Sequence, residues 1–135
     1  MMMKKGQTLP DGAVIRRARR GDLMEYFDGD MENEPSVQAW VGEKDGEILV
    51  VGGIARGGDG RWYGFFDIKD GGRCYNILIA RWARDCMALF KKQGVKYIYV
   101  ALDKDERNAA RWLKRLGFHV DPRSLKMHRW KNEEV

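Results

Sequence analysis

The sequence predicts one domain of the α/β (α+β) class, built on a mixed sheet with a central β-α-β unit. Asp45-Gly46 lies between two apolar runs and is the strongest short hairpin signal in the chain. Residues 75–93 repeat apolar side chains with the helical period, and the β-rich run 95–102 follows them. Together with the aromatic strand 62–66, these elements predict parallel pairing across a right-handed crossover.

Length and composition restrict the class of protein. The chain has 135 residues, 44% of them hydrophobic, which is enough for one core. No apolar run approaches the roughly 20 residues that span a bilayer, and no apolar stretch follows the first lysines. We therefore expect a cytoplasmic protein without a classical secretion signal. Cys74 and Cys86 lie too far apart along the predicted helix for a disulfide and are expected as reduced thiols.

The net charge of +5 allows several partners. A phosphorylated cofactor, an acidic protein face and nucleic acid all fit a basic chain, and a solubilising surface explains the charge equally well. Nucleic acid ranks last, because helical spacing places Trp82 and Trp112 on core faces.

The first half of the chain predicts an antiparallel meander. Residues 1–13 carry glycine and proline without apolar periodicity, so we expect a flexible leader before a single domain at 14–132. Asp22 is the predicted N-cap of a short helix. The predicted strands of this half are 14–18, 37–43, 47–55 and 62–66.

The second half alternates helices and strands. Gly94 is the predicted end of helix 75–93. After strand 95–102, Asp103 and Glu106 can cap a further helix that ends at Gly117, and a last strand is expected at about 125–130.

The loop between the aromatic strand and the long helix carries the strongest functional signal. Gly71 and Gly72 can direct backbone N–H groups into one concavity at a helix N-terminus, an arrangement that suits phosphate. Lys69 and Arg73 would add full positive charges. A tight turn that uses its glycines only for backbone geometry is the alternative.

Lys69-Asp70-Gly71-Gly72-Arg73-Cys74 resembles the pyrophosphate-binding signature of the GNAT superfamily of N-acetyltransferases. Lys69 takes the basic slot, Gly72 the glycine slot and Cys74 the small-residue slot. Three further segments resemble this superfamily in the same order: the opening strand and helix cap at 15–23, the Asp45-Gly46 hairpin, and the helix at 111–118 that ends in Leu-Gly-Phe. The resemblance covers about residues 14 to 130.

The resemblance implies an acyl-CoA-dependent N-acetyltransferase that transfers acetyl from acetyl-CoA to an amine on a small molecule, peptide or protein. The pantetheine arm of coenzyme A would lie between strands 62–67 and 95–102, so we expect these strands to be parallel and splayed at their C-terminal ends. Residues expected at the cofactor are Phe66, Asp67, Ile68, Lys69, Gly71, Gly72, Arg73, Cys74, Tyr75 and Asn108. The acidic segment 28–35 hints at a cationic acceptor, and GNAT proteins frequently form homodimers.

The catalytic positions depart from the family pattern. Leu113 occupies the slot of the tyrosine that often serves as the acid, and Glu106 occupies the slot of a common asparagine. Asp67 as base and Tyr99 as acid are the substitutes, although a turn carboxylate and a core tyrosine are the simpler interpretations. His119 and His128 have no ligands at metal spacing, so no metal site is expected.

A second function remains open on the same residues. Leu113 in the acid slot, with Lys69 and Cys74 in the loop, also fits a catalytically silent protein that keeps the GNAT fold for a structural or host-interaction role. Short GNAT-like proteins of this style are also encoded by bacteriophages.

Overall fold

The computed structural model describes residues 6–8, 12–19, 21–22, 37–69, 76–102 and 107–135. Its strands form one mixed sheet in the order β1-β2-β3-β4-β5-β6-β8-β7. The strands are β1 (Gly6–Thr8), β2 (Val14–Arg17), β3 (Val37–Lys44), β4 (Glu47–Arg56), β5 (Trp62–Ile68), β6 (Tyr97–Ala101), β7 (His119–Asp121) and β8 (Ser124–Lys131). The described helices are α1 (Asn76–Lys92) and α2 (Arg107–Arg115). The predicted fold class is confirmed.

The first five strands form the predicted antiparallel meander. Asp45 and Gly46 join β3 to β4, and both have positive φ angles, 52° and 80°, as a tight hairpin turn of this kind requires. Gly6–Thr8 lie inside the expected leader, yet they pair with β2 as an edge strand. A strand of three residues is too short to show an alternating pattern, so the sequence could not reveal it.

The central unit β5-α1-β6 has the predicted parallel pairing, but over a very short length. Trp62 pairs with Ile98 and Tyr63 pairs with Tyr99, and no pairing follows between the described residues of the two strands. β5 continues to Ile68 and β6 to Ala101, so the strands diverge beyond Tyr63 and Tyr99. The expected splay is confirmed.

Helix α1 packs across one face of the sheet. Ile79, Trp82, Cys86 and Phe90 recur every three or four residues and are each at most 6% exposed, as the apolar period predicts. Gly94, with a φ of 79°, follows the end of the helix. Among the described residues, no helix is long and apolar enough to cross a membrane.

The C-terminal part contains one strand that the sequence did not predict. β8 matches the expected last strand, but β7 precedes it and pairs with it in antiparallel orientation. His119 and Val120 of β7 are exposed, so this strand has no alternating apolar pattern. Asp121 is buried and accepts a hydrogen bond from the backbone N–H of Arg123, which closes the turn into β8.

An ion-pair network joins β2, β3 and the segment after β2. The Arg16 guanidinium donates to Asp22 at 2.8 Å and to Glu43 at 2.9 Å. Asp22 also accepts from the backbone N–H of Arg19 at 2.7 Å, so its carboxylate reaches back from the first helical turn and Asp22 is not the N-cap. Hydrogen bonding to Arg16 lowers the pKa of both carboxyl groups.

Replacing Arg16 by Met should lower the free energy of unfolding by about 2 kcal/mol at pH 7, because two partly buried carboxylates lose their charged donor. Urea unfolding measures this loss. Arg84→Met is the matched control, since Arg84 is exposed on α1. Equal stability of the two variants would show that the Arg16 network contributes nothing.

The ion pairs of Arg16 with Asp22 and Glu43 also predict that stability depends on pH. Asp22 and Glu43 have lowered pKa values in the folded state. Their contribution to the free energy of unfolding is therefore fully present above about pH 5, and it disappears as the pH falls and the two carboxylates become protonated. The stability of Arg16→Met should therefore fall less steeply from pH 6 to pH 3 than that of the wild type. If the stabilities of Arg16→Met and the wild type fall equally steeply with pH, the acid sensitivity does not come from these ion pairs.

Candidate functional site

A cavity of about 760 Å³ lies where β5 and β6 diverge. Residues of β4, β5 and β6 form one wall, and residues of α1 and α2 form the other. Its lining includes Gly64, Phe66, Ile68, Trp82, Val100 and Leu113. Asp67 is the only charged residue among the described residues of the lining.

Two glycines shape the strand wall of this cavity. A Cβ atom at Gly64 would lie 2.9 Å from Cγ2 of Val100, which is too close for an ordinary contact. A Cβ atom at Gly52 would lie 3.0 Å from Cη2 of Trp82 and 3.1 Å from Phe66. Because Gly64 has no side chain, Val100 of β6 can approach β5. Because Gly52 has none, the Trp82 ring can approach β4.

Three aromatic side chains pack together in the wall of the cavity. Phe66 is 37% exposed, and its ring centroid lies 4.8 Å from that of Trp112 and 6.4 Å from that of Trp82. Trp82 is 4% exposed, and its buried indole N–H has no hydrogen-bond partner within the described part of the chain. The indole nitrogen is fully buried, so its N–H is not open to the cavity.

The residues that are present fit a pantetheine arm in two respects. Beyond Tyr63 the β5 backbone no longer pairs with the described β6, so an edge of the strand is open to the amides of such an arm. The apolar lining also suits the methylene groups between those amides.

The expected cofactor residues fall into three groups. Phe66, Asp67 and Ile68 line the cavity, and Lys69 follows them beside a second cavity. Asn108 lies in the first turn of α2, and its side chain is not described. The remaining expected residues, Gly71, Gly72, Arg73, Cys74 and Tyr75, lie outside the described residues.

A second cavity, of about 770 Å³, lies on the opposite face of the sheet and is polar. Strand pairing places Arg16, Val41, Val51 and Asp67 in one row across this face. Carboxylates outnumber cations in the described lining: Asp22, Glu43, Asp45, Glu47 and Asp67 against Arg16, Arg19 and Lys69. Asp67 borders both cavities.

The two candidate catalytic residues lie apart. Tyr99 belongs to the last parallel pair, is 5% exposed, and packs beside Tyr63 with the Arg61 guanidinium 5.1 Å from its ring centroid. Asp67 is exposed and follows Tyr63 by four residues, about 13 Å along an extended strand. Of the two, only Asp67 is in the described lining of the cavities.

The acid slot of the family pattern is apolar in the structure. Leu113 is 5% exposed in the main hydrophobic core and contributes to the cavity wall. Burial raises the pKa of the nearby Cys86 thiol, which is therefore neutral at physiological pH. Within the described residues, no group of three or more His, Cys, Asp or Glu could hold a metal ion.

Sequence reasoning assigned Trp82 and Trp112 to the core and missed their place in the cavity wall. A core residue and a residue of an apolar cavity wall both lie on the apolar face of a helix, so periodicity cannot distinguish them. The available signal was a set of glycines, Gly52, Gly53 and Gly64, in the two strands opposite these rings. Glycine inside a strand marks places where another group approaches the backbone closely.

Comparison with known proteins shows what this architecture is similar to. No protein-family profile and no curated sequence matches the chain. A GNAT-family acetyltransferase from Staphylococcus aureus Mu50 has 13% identity and a TM-score of 0.67, with 90% of this chain and 99% of that chain covered.

Two further solved structures are similar over nearly their whole length. The ribosomal-protein-S18-alanine N-acetyltransferase of Escherichia coli has 10% identity and a TM-score of 0.61, covering 88% of this chain and 93% of that one. A chimeric spermidine N-acetyltransferase of Vibrio cholerae has 11% identity and a TM-score of 0.60, covering 90% and 96%. The chain therefore has the fold of the GNAT acetyltransferases.

Proposed function

We propose that this protein transfers an acyl group from acyl-coenzyme A to an amine. The observation that carries this proposal is the early end of the β5–β6 pairing beside a cavity of about 760 Å³. Open backbone in the middle of a sheet favours a ligand that supplies the missing hydrogen bonds. The similar solved structures named above are N-acetyltransferases, which supports the same reaction class.

The chain offers separate groups for the two ends of coenzyme A. Backbone groups of 66–68 would bind the pantetheine arm. The pyrophosphate would lie on the N–H groups of the glycine loop 71–75 before α1, with Lys69 nearby. When bound, the thioester supplies an acyl carbon open to attack and a thiol as leaving group.

The amine would approach from the polar cavity. Its excess of carboxylates favours a cationic acceptor, and one of the similar structures is a spermidine N-acetyltransferase. Asp67 borders both cavities, so we infer that it accepts the proton that the attacking nitrogen loses. Because Leu113 cannot donate a proton, water protonates the departing sulfur, and the hydroxide that remains takes the proton that Asp67 accepted from the amine.

A catalytically silent GNAT-fold protein is the second candidate function. The buried, apolar Leu113 and the distance between Asp67 and Tyr99 favour it, because the described residues do not assemble an acid and a base at one point. This function predicts either no binding of coenzyme A or binding without turnover. Both outcomes can be measured separately.

Coenzyme A at a hundredfold excess over its dissociation constant should raise the melting temperature by about 10 °C. Binding to the native state alone contributes about 2.7 kcal/mol at that excess, and each kcal/mol moves the midpoint by roughly 3 to 6 °C in a domain of this size. Differential scanning fluorimetry of the purified protein measures the shift. An unchanged midpoint with saturating coenzyme A and acetyl-CoA would overturn the proposed function.

Variants of the glycine loop test whether the rise in melting temperature depends on the proposed phosphate site. Gly72→Val should abolish it, because a β-branched side chain fills the cradle expected at this glycine. Lys69→Ala should only weaken it, and Lys92→Ala is the matched control, since Lys92 is exposed at the end of α1. A full shift in Gly72→Val would place the phosphates elsewhere.

Asp67→Asn should lower kcat/KM for a diamine acceptor by on the order of a hundredfold, the typical contribution of a positioned general base. Tyr99→Phe should change it less than about threefold, because the ring packing with Tyr63 is retained and only the hydroxyl is removed. Thiol release from acetyl-CoA reports the rate. The reverse order of the two effects would assign the proton transfer to Tyr99.

A further inference from the structure

Tyrosines and cations meet on the face of the sheet that is turned away from α1. Ile98 of β6 shares the apolar core with α1, so its neighbours Tyr97 and Tyr99 lie on the other face. Tyr63 of β5 pairs with Tyr99, and their ring centroids are 6.1 Å apart, while those of Tyr97 and Tyr99 are 6.2 Å apart. We call this surface the basic tyrosine patch, and its members are Tyr63, Tyr97, Tyr99, Arg61, Lys96 and Arg129.

Each cation of the patch lies over a tyrosine ring. The guanidinium carbon of Arg129 lies 5.0 Å from the ring centroid of Tyr97, and Nζ of Lys96 lies 5.5 Å from the same centroid. The guanidinium of Arg61 lies 5.1 Å from the ring centroid of Tyr99. Arg61 and Lys96 are exposed, and Arg129 is partly buried. Contact with a ring pre-organises a guanidinium, while the N–H groups at its edge can still donate to a ligand.

The positive charge of the patch is not neutralised by ion pairs within the described part of the chain. No described carboxylate forms an ion pair with Arg61, Lys96 or Arg129. Asp59 borders the patch, but it accepts hydrogen bonds from the Tyr63 hydroxyl and, at 2.9 Å, from the backbone N–H of Arg61. Its carboxylate therefore fixes the turn before β5.

The positive charge continues along β8. Lys131 pairs with Tyr97 across the β6–β8 ladder and is exposed, so it adds a fourth cation on the same face. Asp121, in the neighbouring β7, already has the Arg123 guanidinium at 3.6 Å. A surface with this excess of cations attracts a polyanion.

The composition of the patch favours nucleic acid over an acidic peptide. A guanidinium that lies over a tyrosine can offer its outer plane to a base and its N–H edge to a phosphate, and a nucleic acid has both groups. The members of the patch include no aliphatic side chain, whereas a protein partner normally buries an apolar centre. Bases reach such a surface only when they are not paired in a duplex.

We propose that the basic tyrosine patch binds single-stranded nucleic acid. Arg61, Lys96, Arg129 and Lys131 contact the phosphates, and bases stack on the guanidinium groups. This site is separate from the proposed cofactor site. The patch lies at the N-terminal ends of β5 and β6, whereas the glycine loop follows the C-terminal end of β5.

Fluorescence anisotropy of a labelled single strand of about 12 deoxythymidines tests the proposal on the full chain. If the four cations neutralise four phosphates, the logarithm of the affinity should fall with the logarithm of the salt concentration with a slope of about −2.8. The affinity then falls about fiftyfold between about 50 mM and about 200 mM salt. No binding at the lower salt concentration, or tighter binding of a duplex of the same length, would overturn the proposal.

Two variants separate the contribution of charge from that of the rings. Arg129→Gln should make the salt slope shallower by about 0.7, and Arg84→Gln is the matched control, because Arg84 is exposed on α1. Tyr97→Leu keeps all four cations, so it should weaken binding by about fivefold or more without changing the slope. Wild-type affinity in Tyr97→Leu would overturn the proposal, since charge alone would then explain the binding. Circular dichroism establishes that each variant folds, and if Tyr97→Leu does not fold, Arg129→Gln and the two competitions below decide.

Competition identifies the class of ligand and the place where it binds. A glutamate peptide with the same charge should not displace the strand, and displacement at equal concentration would overturn the proposal in favour of an acidic protein partner. Saturating coenzyme A should also leave the strand bound, since its expected phosphate site lies at the other end of β5. Displacement by coenzyme A would place the strand in the cofactor site and overturn the proposal. Failure of the proposed function gives a different result, namely no binding of coenzyme A while the strand still binds.

Discussion

The short parallel contact between β5 and β6 is the constraint on which the rest of the structure depends. Two residue pairs, Trp62 with Ile98 and Tyr63 with Tyr99, join the antiparallel meander to the C-terminal strands. Beyond them, the described parts of β5 and β6 do not pair with each other, and both strands line a cavity. Because backbone groups in a sheet interior need hydrogen-bond partners, the opening between β5 and β6 is a place where a ligand can supply them.

A sheet with so little pairing at its centre needs another connection, and α1 supplies it. Phe90 packs against Trp40 of β3 with ring centroids 6.0 Å apart, while Trp82 lies over Gly52 of β4. The same face of α1 shares one apolar cluster with Ile98 of β6 and Trp130 of β8. The helix therefore holds both parts of the sheet together and also forms a wall of the opening between them.

The sequence predicted this architecture where local chemistry decides the outcome. Asp45-Gly46 forms the hairpin because both residues tolerate positive φ, and the period of α1 follows from burial against one face. β1 and β7 were missed because a strand of three residues is specified by its partner strand rather than by its own pattern. The boundaries of α1 and of the hairpin strands differ from the predicted ones by a residue or so.

The candidate site was less predictable than the fold. A residue that fills a core and a residue that lines an apolar cavity have the same spacing and the same composition, so Trp82 and Leu113 could not be separated from core residues by pattern. The depth of the cavity depends on how far two helices stand from the sheet, which no local signal encodes. Only the resemblance to GNAT signatures indicated where the strands would part.

Alternation along β5 divides the two proposed reactants between the faces of the sheet. Phe66 and Ile68 face the apolar cavity under α1, whereas Asp67 lies in the row with Arg16 on the polar face. A thioester and a cationic amine can then be bound on different faces of one strand, while the acyl carbon and the nitrogen meet beside Asp67, which borders both cavities. Leu113 belongs to the apolar face and is buried, so a polar acid there would need a hydrogen-bond partner within an apolar wall. An apolar residue in the acid slot thus leaves proton transfer in the proposed reaction to Asp67 and water.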